Sequence, residues 1–411
     1  MSSSESSSET SSRSESSASS RARPAVVVRK GRDGVLLRSR HPWIFSQSVA
    51  GVDGEPGDGE LLPVTSAEGR ILGWGLHSPN SLIAVRMVSF GEKHPGEGWI
   101  AERIRAACAL RAGLGIDSDA VRLVNAEGDF LPGLVVDRYG DTIVISPHAR
   151  GIETRIEQIV STLLEPFPEA RVFLKRDEHY AGVESLGLAA GYLVGDGDGT
   201  SLIQEAGVRF IADFAKGQKT GFYLDQRENR RLAALLGRGR TILNLFSYTG
   251  AFALRAAAAG ASCVVSVESS ARAIEASRRN AECNPGIPPE LLQWVQADVF
   301  SFLKDPGRHD VIVADPPPFA RRRAEAAGAV RGYVSLFFQV LKALKPAGFA
   351  FLFSCSGAID RPLFRQIVSE AAFRSRRSVR LVRELHADAD HPVAAAHPEG
   401  EYLKGWLVHA Q

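Results

Sequence analysis

The chain has 411 residues and a formal net charge of +2, with 44% hydrophobic and 23% charged residues. At about 100–200 residues per domain, this length predicts two to three domains. No stretch approaches the ~18 consecutive apolar residues of a membrane span, so we expect no membrane contacts. The four cysteines include no Cys-x-x-Cys pair, which argues against a metal site. The length of the chain and its low cysteine density argue against a disulfide framework, so we expect free thiols and a cytoplasmic protein.

The chain begins with a serine-rich tail, residues 1–22, which has no apolar segment of the kind found in signal peptides. With so little to bury, this tail is expected to be disordered. Residues 23–97 then show short apolar runs separated by glycine-rich turns, which is typical of a small β-barrel or sandwich. The strands predicted there are Ala25–Arg29, Gly59–Val64, Ile71–Leu76 and Leu82–Val88.

Residues 98–199 mix helical and strand patterns and predict a compact α+β domain. The predicted helices are Trp99–Ala112 and Ile152–Leu164. The predicted strands are Arg122–Asn125, Leu134–Asp137, Thr142–Ser146 and Val172–Lys175.

Residues 200–411 alternate apolar strands with helices, which predicts an α/β domain with a parallel sheet covered on both faces. The predicted strands are Thr241–Ser247, Cys263–Glu268, Leu291–Asp298, Asp310–Asp315 and Phe349–Cys355. The helices between them are Ala251–Ala259, Ala271–Cys283 and Val330–Lys345. Two last runs, Ser378–His386 and Tyr402–Val408, have no helix between them and predict an antiparallel hairpin at the sheet edge. That ending is typical of class I methyltransferases.

The first three strand ends carry the pattern of a nucleoside site, because ligands of open α/β sheets bind at the carboxyl ends of the strands. The turn from Asn244 to Gly250 lacks the GxGxxG of nicotinamide-binding domains, and its glycine would let a ligand approach the backbone. Glu268 suits a ribose diol and Asp298 the amine of adenine, although either acid could instead cap a helix. The S-adenosylmethionine (SAM) contacts predicted here are Asn244, Phe246, Tyr248, Thr249, Gly250, Glu268 and Asp298.

The next two strand ends predict the chemistry. Asp315 opens a rigid proline turn with Pro316 and Pro317, of the kind that hydrogen-bonds a flipped base. Cys355 follows the fifth strand, where a thiolate adding to carbon 6 of cytosine would make carbon 5 nucleophilic enough to attack a methyl group. The alternative for Cys355 is a buried structural cysteine, which is the interpretation given to Cys108, Cys263 and Cys283.

Upstream of the first strand, the polar, glycine-rich segment Gly217–Arg227 is interpreted as a lid over the cofactor. The alternative is a plain linker with a helix start at Asp225. Further cofactor contacts are predicted at Lys219, Thr220, Gly221, Asp225, Arg227 and Asp315.

Several of these motifs together resemble the bacterial 23S rRNA cytosine-C5 methyltransferases with an N-terminal PUA domain. The resemblance covers nearly everything after the tail. It is carried by Lys30–Arg32, His41–Phe45, Glu127–Leu134, Asp137–Gly140, Lys219–Arg227, Phe246–Gly250, Asp315–Pro317, Arg331–Tyr333, Ser354–Gly357, Asp390–Pro392 and Pro398–Gly400. The chain departs from the usual residues at Pro318, Val334 and Phe337, and we expect these departures on the substrate side of the pocket.

The resemblance implies a PUA domain over 23–97, a central α+β domain over 98–199 and a Rossmann-like methyltransferase domain over 200–411. It implies SAM as methyl donor, Cys355 as nucleophile, and Asp315 with its neighbouring carbonyl as the groups that orient cytosine. Pro316, Pro317 and Tyr333 are the expected substrate contacts. The implied partner is RNA, most specifically 23S rRNA, and a homodimer is possible.

Two other hypotheses remain open at this point. The same fold could methylate another nucleobase position, with Cys355 purely structural. The protein could also be a non-catalytic RNA-binding assembly factor that retains SAM affinity.

Overall fold

A computed structural model describes residues 24–320 and 323–411. The serine-rich tail lies outside the described residues. The described chain forms three larger sheets and one separate hairpin, and the sheets follow one another along the sequence. Its elements are given below from the amino terminus.

The N-terminal sheet has six strands in the order β2-β6-β5-β4-β1-β3. Its strand pairs are antiparallel except for β1 with β4. Val26, Val64 and Val85 are fully buried between the strands, so a small apolar core of its own holds this sheet together. Its elements are β1 Ala25–Val28, α1 Asp33–Ser39, β2 Trp43–Phe45, β3 Val49–Asp53, β4 Leu61–Thr65, β5 Ile71–His77 and β6 Ile83–Phe90.

The central sheet has five strands in the order β11-β10-β9-β8-β7, with only β9 and β10 parallel. Its elements are α2 Trp99–Ala112, β7 Ala120–Asn125, β8 Leu134–Tyr139, β9 Thr142–Pro147, α3 Arg150–Glu153, α4 Ile156–Leu164, β10 Arg171–Leu174, α5 Glu178–Val183 and β11 Gly191–Val194.

The single helix predicted over Ile152–Leu164 is wrong, because the structure has two helices there. The hydroxyl of Thr154 donates to the carbonyl of Gly151 at 3.2 Å, and the Arg155 guanidinium donates to the same carbonyl at 2.6 Å. These side chains satisfy a carbonyl at the end of α3, so the helix ends there at little cost.

A separate antiparallel hairpin, β12 Thr200–Glu205 and β13 Val208–Asp213, precedes the C-terminal sheet. It packs on the helix that later follows the second strand of that sheet, where the Asn280 carboxamide accepts a hydrogen bond from the backbone N–H of Ile211 at 2.8 Å. The sequence patterns did not predict this hairpin.

The C-terminal sheet has seven strands in the order β16-β15-β14-β17-β18-β20-β19. The first five are parallel, and β20 lies antiparallel between β18 and β19, which confirms the predicted α/β architecture and its edge hairpin. Its elements are α6 Arg227–Gly237, β14 Thr241–Leu245, α7 Ala251–Ala258, β15 Cys263–Glu268, α8 Ala271–Glu282, β16 Leu292–Gln296, α9 Val299–Phe302, β17 His309–Ala314, α10 Ala326–Ala343, β18 Leu344–Ser354, α11 Arg361–Ser375, β19 Val379–Leu385 and β20 Lys404–Ala410.

The chain order of the strands reverses at β14, since β15 lies on one side of it and β17 on the other. Such a switch point leaves a crevice above the carboxyl ends of the strands, and ligands of open α/β sheets bind there. The fold therefore places a binding site above β14 and β17.

The connection between β19 and β20, residues 386–403, joins the C-terminal sheet to the central one. The Asp390 carboxylate accepts a hydrogen bond from the backbone N–H of Arg122 at 3.0 Å and forms an ion pair with Arg227 at 3.0 Å. The carbonyl of Pro392 accepts a hydrogen bond from the side chain of Asn125 at 2.9 Å.

The same connection also reaches the N-terminal sheet. The ring of His397 lies 4.5 Å from that of Trp43, and Nε2 of His41 lies 3.0 Å from Oε2 of Glu399. The Trp43 indole N–H donates to Glu127, in the turn between β7 and β8 of the central sheet, at 2.8 Å. All three sheets therefore meet at this one loop.

Candidate active site

A cavity of about 730 Å³ opens above the carboxyl ends of β14, β15, β17 and β18. Pockets for small ligands typically measure about 300–1,000 Å³, so it can hold a ligand the size of a nucleoside with an amino-acid tail. The structure brings eleven of the predicted site residues together around it: Lys219, Asp225, Asn244, Phe246, Tyr248, Thr249, Glu268, Asp315, Pro316, Pro317 and Cys355.

The turn after β14 is strained and contains an unsatisfied amide. Phe246 and Tyr248 have φ angles of 56° and 46°, in the left-handed region that non-glycine residues seldom adopt. The side-chain nitrogen of Asn244 is buried and has no hydrogen-bond partner in the described chain. Strain and an orphaned donor beside a cavity are typical of a preformed ligand site.

Gly250 ends this turn, and its glycine is required for packing as well as for backbone conformation. Its φ is +78°, and a Cβ atom there would lie 2.8 Å from the ring of Trp294 and 3.1 Å from the hydroxyl of Ser277. A side chain at this position would therefore collide with β16 and α8. A Cβ atom at Gly250 would thus point toward the side chains of Trp294 and Ser277.

The two strand-end acids differ in position. Glu268 lines the cavity, and its two oxygens accept hydrogen bonds from the backbone N–H groups of Tyr248 and Ser270, both at 3.0 Å. Asp298 is exposed and caps α9, where it accepts from the backbone N–H of Ser301 at 2.8 Å. The helix cap considered for Asp298 from the sequence is thus the contact that the structure shows.

The predicted lid segment carries an ion pair that faces the cavity. Lys219 donates to the Asp225 carboxylate at 2.5 Å, and the Tyr402 hydroxyl donates to the same oxygen at 2.6 Å. Burial opposes ionisation, but Lys219 and His391 outweigh it and hold the pKa of Asp225 well below its ordinary value. Asp225 is therefore a fixed negative charge in the wall.

Three other predicted cofactor contacts on this segment lie outside the cavity lining: Thr220, Gly221 and Arg227. The hydroxyl of Thr220 contacts the Asp137 carboxylate and lies 2.8 Å from the hydroxyl of Tyr139. Arg227 forms ion pairs with Asp388 and with Asp390. These side chains bind the C-terminal sheet to the central one.

Asp315 and Cys355 lie on neighbouring strands at the same edge of the cavity. Burial, together with the nearby charge of Asp225, raises the pKa of Asp315 to about 7. The Cys355 thiol lies 3.9 Å from the carbonyl of Pro316. Burial, and then the charge of Asp315, raises the pKa of Cys355 to about 11, so the thiol is protonated before a ligand binds.

Tyr333 is fully buried on α10, where its ring packs 4.5 Å from that of Phe319, the residue that follows Pro318. Val334 and Phe337 are also buried, in the core between α10 and the sheet. Their expected place on the substrate side is wrong, because this apolar helix face turns toward the strands. Pro318, by contrast, lines the cavity.

Three residues that the sequence patterns did not single out complete the site: Gln226, Tyr402 and Lys404. Gln226 donates to Asp315 at 2.8 Å. Lys404 is buried and donates to the carbonyls of Ser356 at 3.1 Å and Tyr402 at 2.8 Å. For Gln226 the available signal was its place in the predicted lid segment Gly217–Arg227. For Tyr402 and Lys404 it was the predicted strand Tyr402–Val408, which belongs to the sheet that carries Cys355.

All four cysteines are free, as predicted. Over residues 24–320 and 323–411, no three or more His, Cys, Asp or Glu side chains are grouped so as to hold a metal ion. Within the same residues, no helix has both the length and the apolar character needed to cross a bilayer.

Two family models match separate parts of this chain. A family model of S-adenosylmethionine-dependent methyltransferases matches residues 181–398, and a model of PUA-like domains matches residues 26–90. A protein of Shewanella amazonensis named ribosomal RNA large subunit methyltransferase I is 40% identical over 93% of this chain and 98% of its own. A Vibrio cholerae protein of the same name is 38% identical over the same shares of the two chains.

Solved structures show the same fold. A crystal structure described as a methyltransferase complexed with SAH has a TM-score of 0.80 at 22% identity, covering 94% of this chain and 99% of its own. A Streptococcus mutans structure described as a SAM-dependent methyltransferase has a TM-score of 0.79 at the same identity and coverage.

Proposed function

The chain belongs to the S-adenosylmethionine-dependent methyltransferases, and on that premise we propose that it forms 5-methylcytosine in 23S rRNA through a covalent bond between Cys355 and the base. Two relatives named for large-subunit rRNA support the substrate, and the PUA-like domain supplies a surface for RNA outside the catalytic cavity. The observation that carries the carbon-5 chemistry is the position of Cys355, 3.9 Å from the carbonyl of the proline turn. We place this activity in the cytoplasm.

The residues of the cavity fit SAM. The unpartnered Asn244 amide and the strained turn beside it offer polar groups to the cofactor. In this proposal Glu268 accepts hydrogen bonds from the ribose hydroxyls, which its remaining lone pairs allow. Asp298, which is exposed and outside the cavity lining, accepts from the adenine amine with the oxygen that does not cap α9. Lys219 and Asp225 close the methionine end.

The chemistry begins at the thiol of Cys355. The thiol first gives its proton to solvent. The thiolate then adds to carbon 6 of cytosine, a sulfur–carbon bond forms, and N3 takes a proton from the protonated carboxyl of Asp315. A pKa of about 7 leaves Asp315 protonated in part of the molecules near neutral pH, which this acid role requires. SAM, when bound, supplies the electrophilic methyl group for carbon 5.

Product release reverses the addition. Loss of the carbon-5 proton to a solvent base restores the double bond between carbons 5 and 6 and expels the Cys355 thiolate. N3 then returns its proton to Asp315. The expelled thiolate takes a proton from solvent, so Cys355 and Asp315 both regain their starting states.

The high pKa of Cys355, about 11, favours one competing function. If the thiol stays protonated with substrate bound, the Asp315–Pro317 turn could present an exocyclic amine for methylation instead. Cys355 would then only pack against Pro316.

Mapping of 23S rRNA decides between these functions. Bisulfite sequencing and nucleoside mass spectrometry of rRNA from strains with and without this protein should show one 5-methylcytosine that depends on it. Complementation with Cys355→Ala should not restore the mark. A methylated amine in place of 5-methylcytosine would support the competing function, and unchanged rRNA would overturn both.

A further inference from the structure

Lys404 contacts the chain on both sides of Cys355. It lies at the start of β20, directly opposite Ser354 in the register of β18 and β20. Its ammonium group donates to the carbonyl of Ser356 at 3.1 Å and to that of Tyr402 at 2.8 Å. The side chain is held against the cysteine turn by a strand pairing and two hydrogen bonds.

This ammonium group is buried without a carboxylate partner. Lys404 is 5% exposed, and across the described parts of the chain it makes no ion pair within 4.0 Å. The carboxylates that act on it, Asp360 and Glu401, are exposed and engaged elsewhere: Asp360 caps α11, and Glu401 pairs with Arg361 at 2.7 Å. A buried cation without an anion is costly, so some other group has to offset it.

Cys355 is the group best placed to do so. Burial lowers the pKa of Lys404, and the largest opposing influence is the charge of Cys355. The other cation at the thiol, Lys219, is already bound to Asp225 at 2.5 Å. Lys404 is therefore the positive charge at the turn that no acid neutralises.

We propose that Lys404 is a positioning residue for the nucleophile. Its buried ammonium group stabilises the thiolate that Cys355 forms during the reaction. Its hydrogen bonds to Ser356 and Tyr402 hold the turn, and its charge favours the thiolate over the thiol. The inference rests on the proposed role of Cys355 as the nucleophile. It adds a second positive charge, besides Lys219, at a thiol whose ionisation Asp315 disfavours.

The ionisation of Cys355 is set by groups from every element around it. Asp315 after β17 and Asp225 before α6 disfavour the thiolate, whereas Lys219 favours it. Burial and the charge of Cys355 raise the pKa of Tyr333 on α10. Changing Lys404 alone keeps all of these in place.

The test measures the ionisation of Cys355 directly in the full-length protein. Alkylation by iodoacetamide is followed against pH, and the Cys355 peptide is quantified by mass spectrometry. An opposite charge within a few ångströms shifts a pKa by about one unit or more. Lys404→Met should therefore slow alkylation about tenfold at a fixed pH below the midpoint, and Lys404→Arg should stay within about threefold of the wild type.

Lys345→Met is the matched control, because Lys345 lies at the other end of β18 and pairs with Asp310 at 2.8 Å. It should leave the Cys355 profile unchanged. Calorimetric SAM affinity reports whether each variant is folded. A Lys404→Met profile that superimposes on that of the wild type overturns the charge role.

Methylation assays separate this inference from the proposed function. If Cys355→Ala remains active, the proposed function fails, whatever Lys404 does. If Cys355→Ala is inactive but Lys404→Met methylates rRNA at the wild-type rate, the proposed function stands and the role of Lys404 is overturned.

Discussion

The side-chain amide of Gln226 donates a hydrogen bond to Oδ2 of Asp315 at 2.8 Å. This bond favours the carboxylate, yet burial and the charge of Asp225 outweigh it and raise the pKa of Asp315 to about 7. Beside the proposed nucleophile, the protein thus keeps a carboxyl group whose ionised form is destabilised by its surroundings. Functional sites often retain such a cost because the reaction uses it.

Asp315→Asn should stabilise the protein in a pH-dependent way. The folded-state pKa lies above the ordinary value of 3.8, so the wild type loses stability as pH rises from about 4 to about 7. The variant should be more stable by roughly 1–4 kcal/mol at pH 8 and by nothing near pH 4. Denaturant unfolding at pH 4, 6 and 8 measures this, and a constant difference would contradict the raised pKa.

Cys355→Ala should reduce methyl transfer by about a thousandfold or more, since the covalent route is lost. SAM affinity should change less than about twofold, because removing a thiol leaves the rest of the cavity intact. Rates of methyl transfer to rRNA and calorimetric SAM binding give the two quantities. Cys263→Ala, at the opposite end of β15, is the control and should retain full activity.

Gly250→Ala should destabilise the protein strongly. A residue with a Cβ is strained at the positive φ of this position, and the new Cβ would also collide with the ring of Trp294. Gly260→Ala is a matched control, because Gly260 has a φ of +96° but nothing within 4 Å of the new atom. We expect about 1 kcal/mol for the control and roughly 3 kcal/mol for Gly250→Ala in urea unfolding. Equal losses would mean that the turn moves freely away from Trp294.

Asp298 has a structural contact and a proposed ligand contact, and two substitutions separate them. Asp298→Ala should lose about 1 kcal/mol through the missing cap of α9, and Asp298→Ser should recover most of it because serine also caps helices. If Asp298 reaches adenine, both variants should bind SAM several-fold more weakly. If capping α9 is its whole role, Asp298→Ser should recover SAM affinity together with stability.

The central strands β14 and β17 of the C-terminal sheet were predictable because they are buried on both faces and form continuous apolar runs. The hairpin of β12 and β13 was not. In β12 the alternation is inverted, since Leu202 is 55% exposed while Ser201 and Glu205 are buried. Glu205 is buried because Arg230 pairs with it at 2.5 Å, and a partner so distant in sequence leaves no local signal. Strand β3 is mostly exposed and lacks the pattern altogether.

The cavity was predictable where one strand end supplies one polar residue, as with Glu268 and Asp315. Lys404 comes instead from the start of β20 and Tyr402 from the residues just before it, and β20 lies beside Cys355 only because it inserts between β18 and β19. The reason for Gly250 was likewise not readable from its own motif, because Trp294 lies on a strand more than forty residues later.

The loop between β19 and β20 has a consequence for how this chain tolerates changes in length. Surface loops usually accept insertions and deletions. This one is pinned at Asp390, Pro392, His397 and Glu399, and the Pro392 carbonyl lies so close to Gly128 that a Cβ there would be 1.9 Å from it. One added or deleted residue would displace the later anchors by up to about 3.5 Å. Its length should therefore be as restricted as that of an interior strand, although it is a loop.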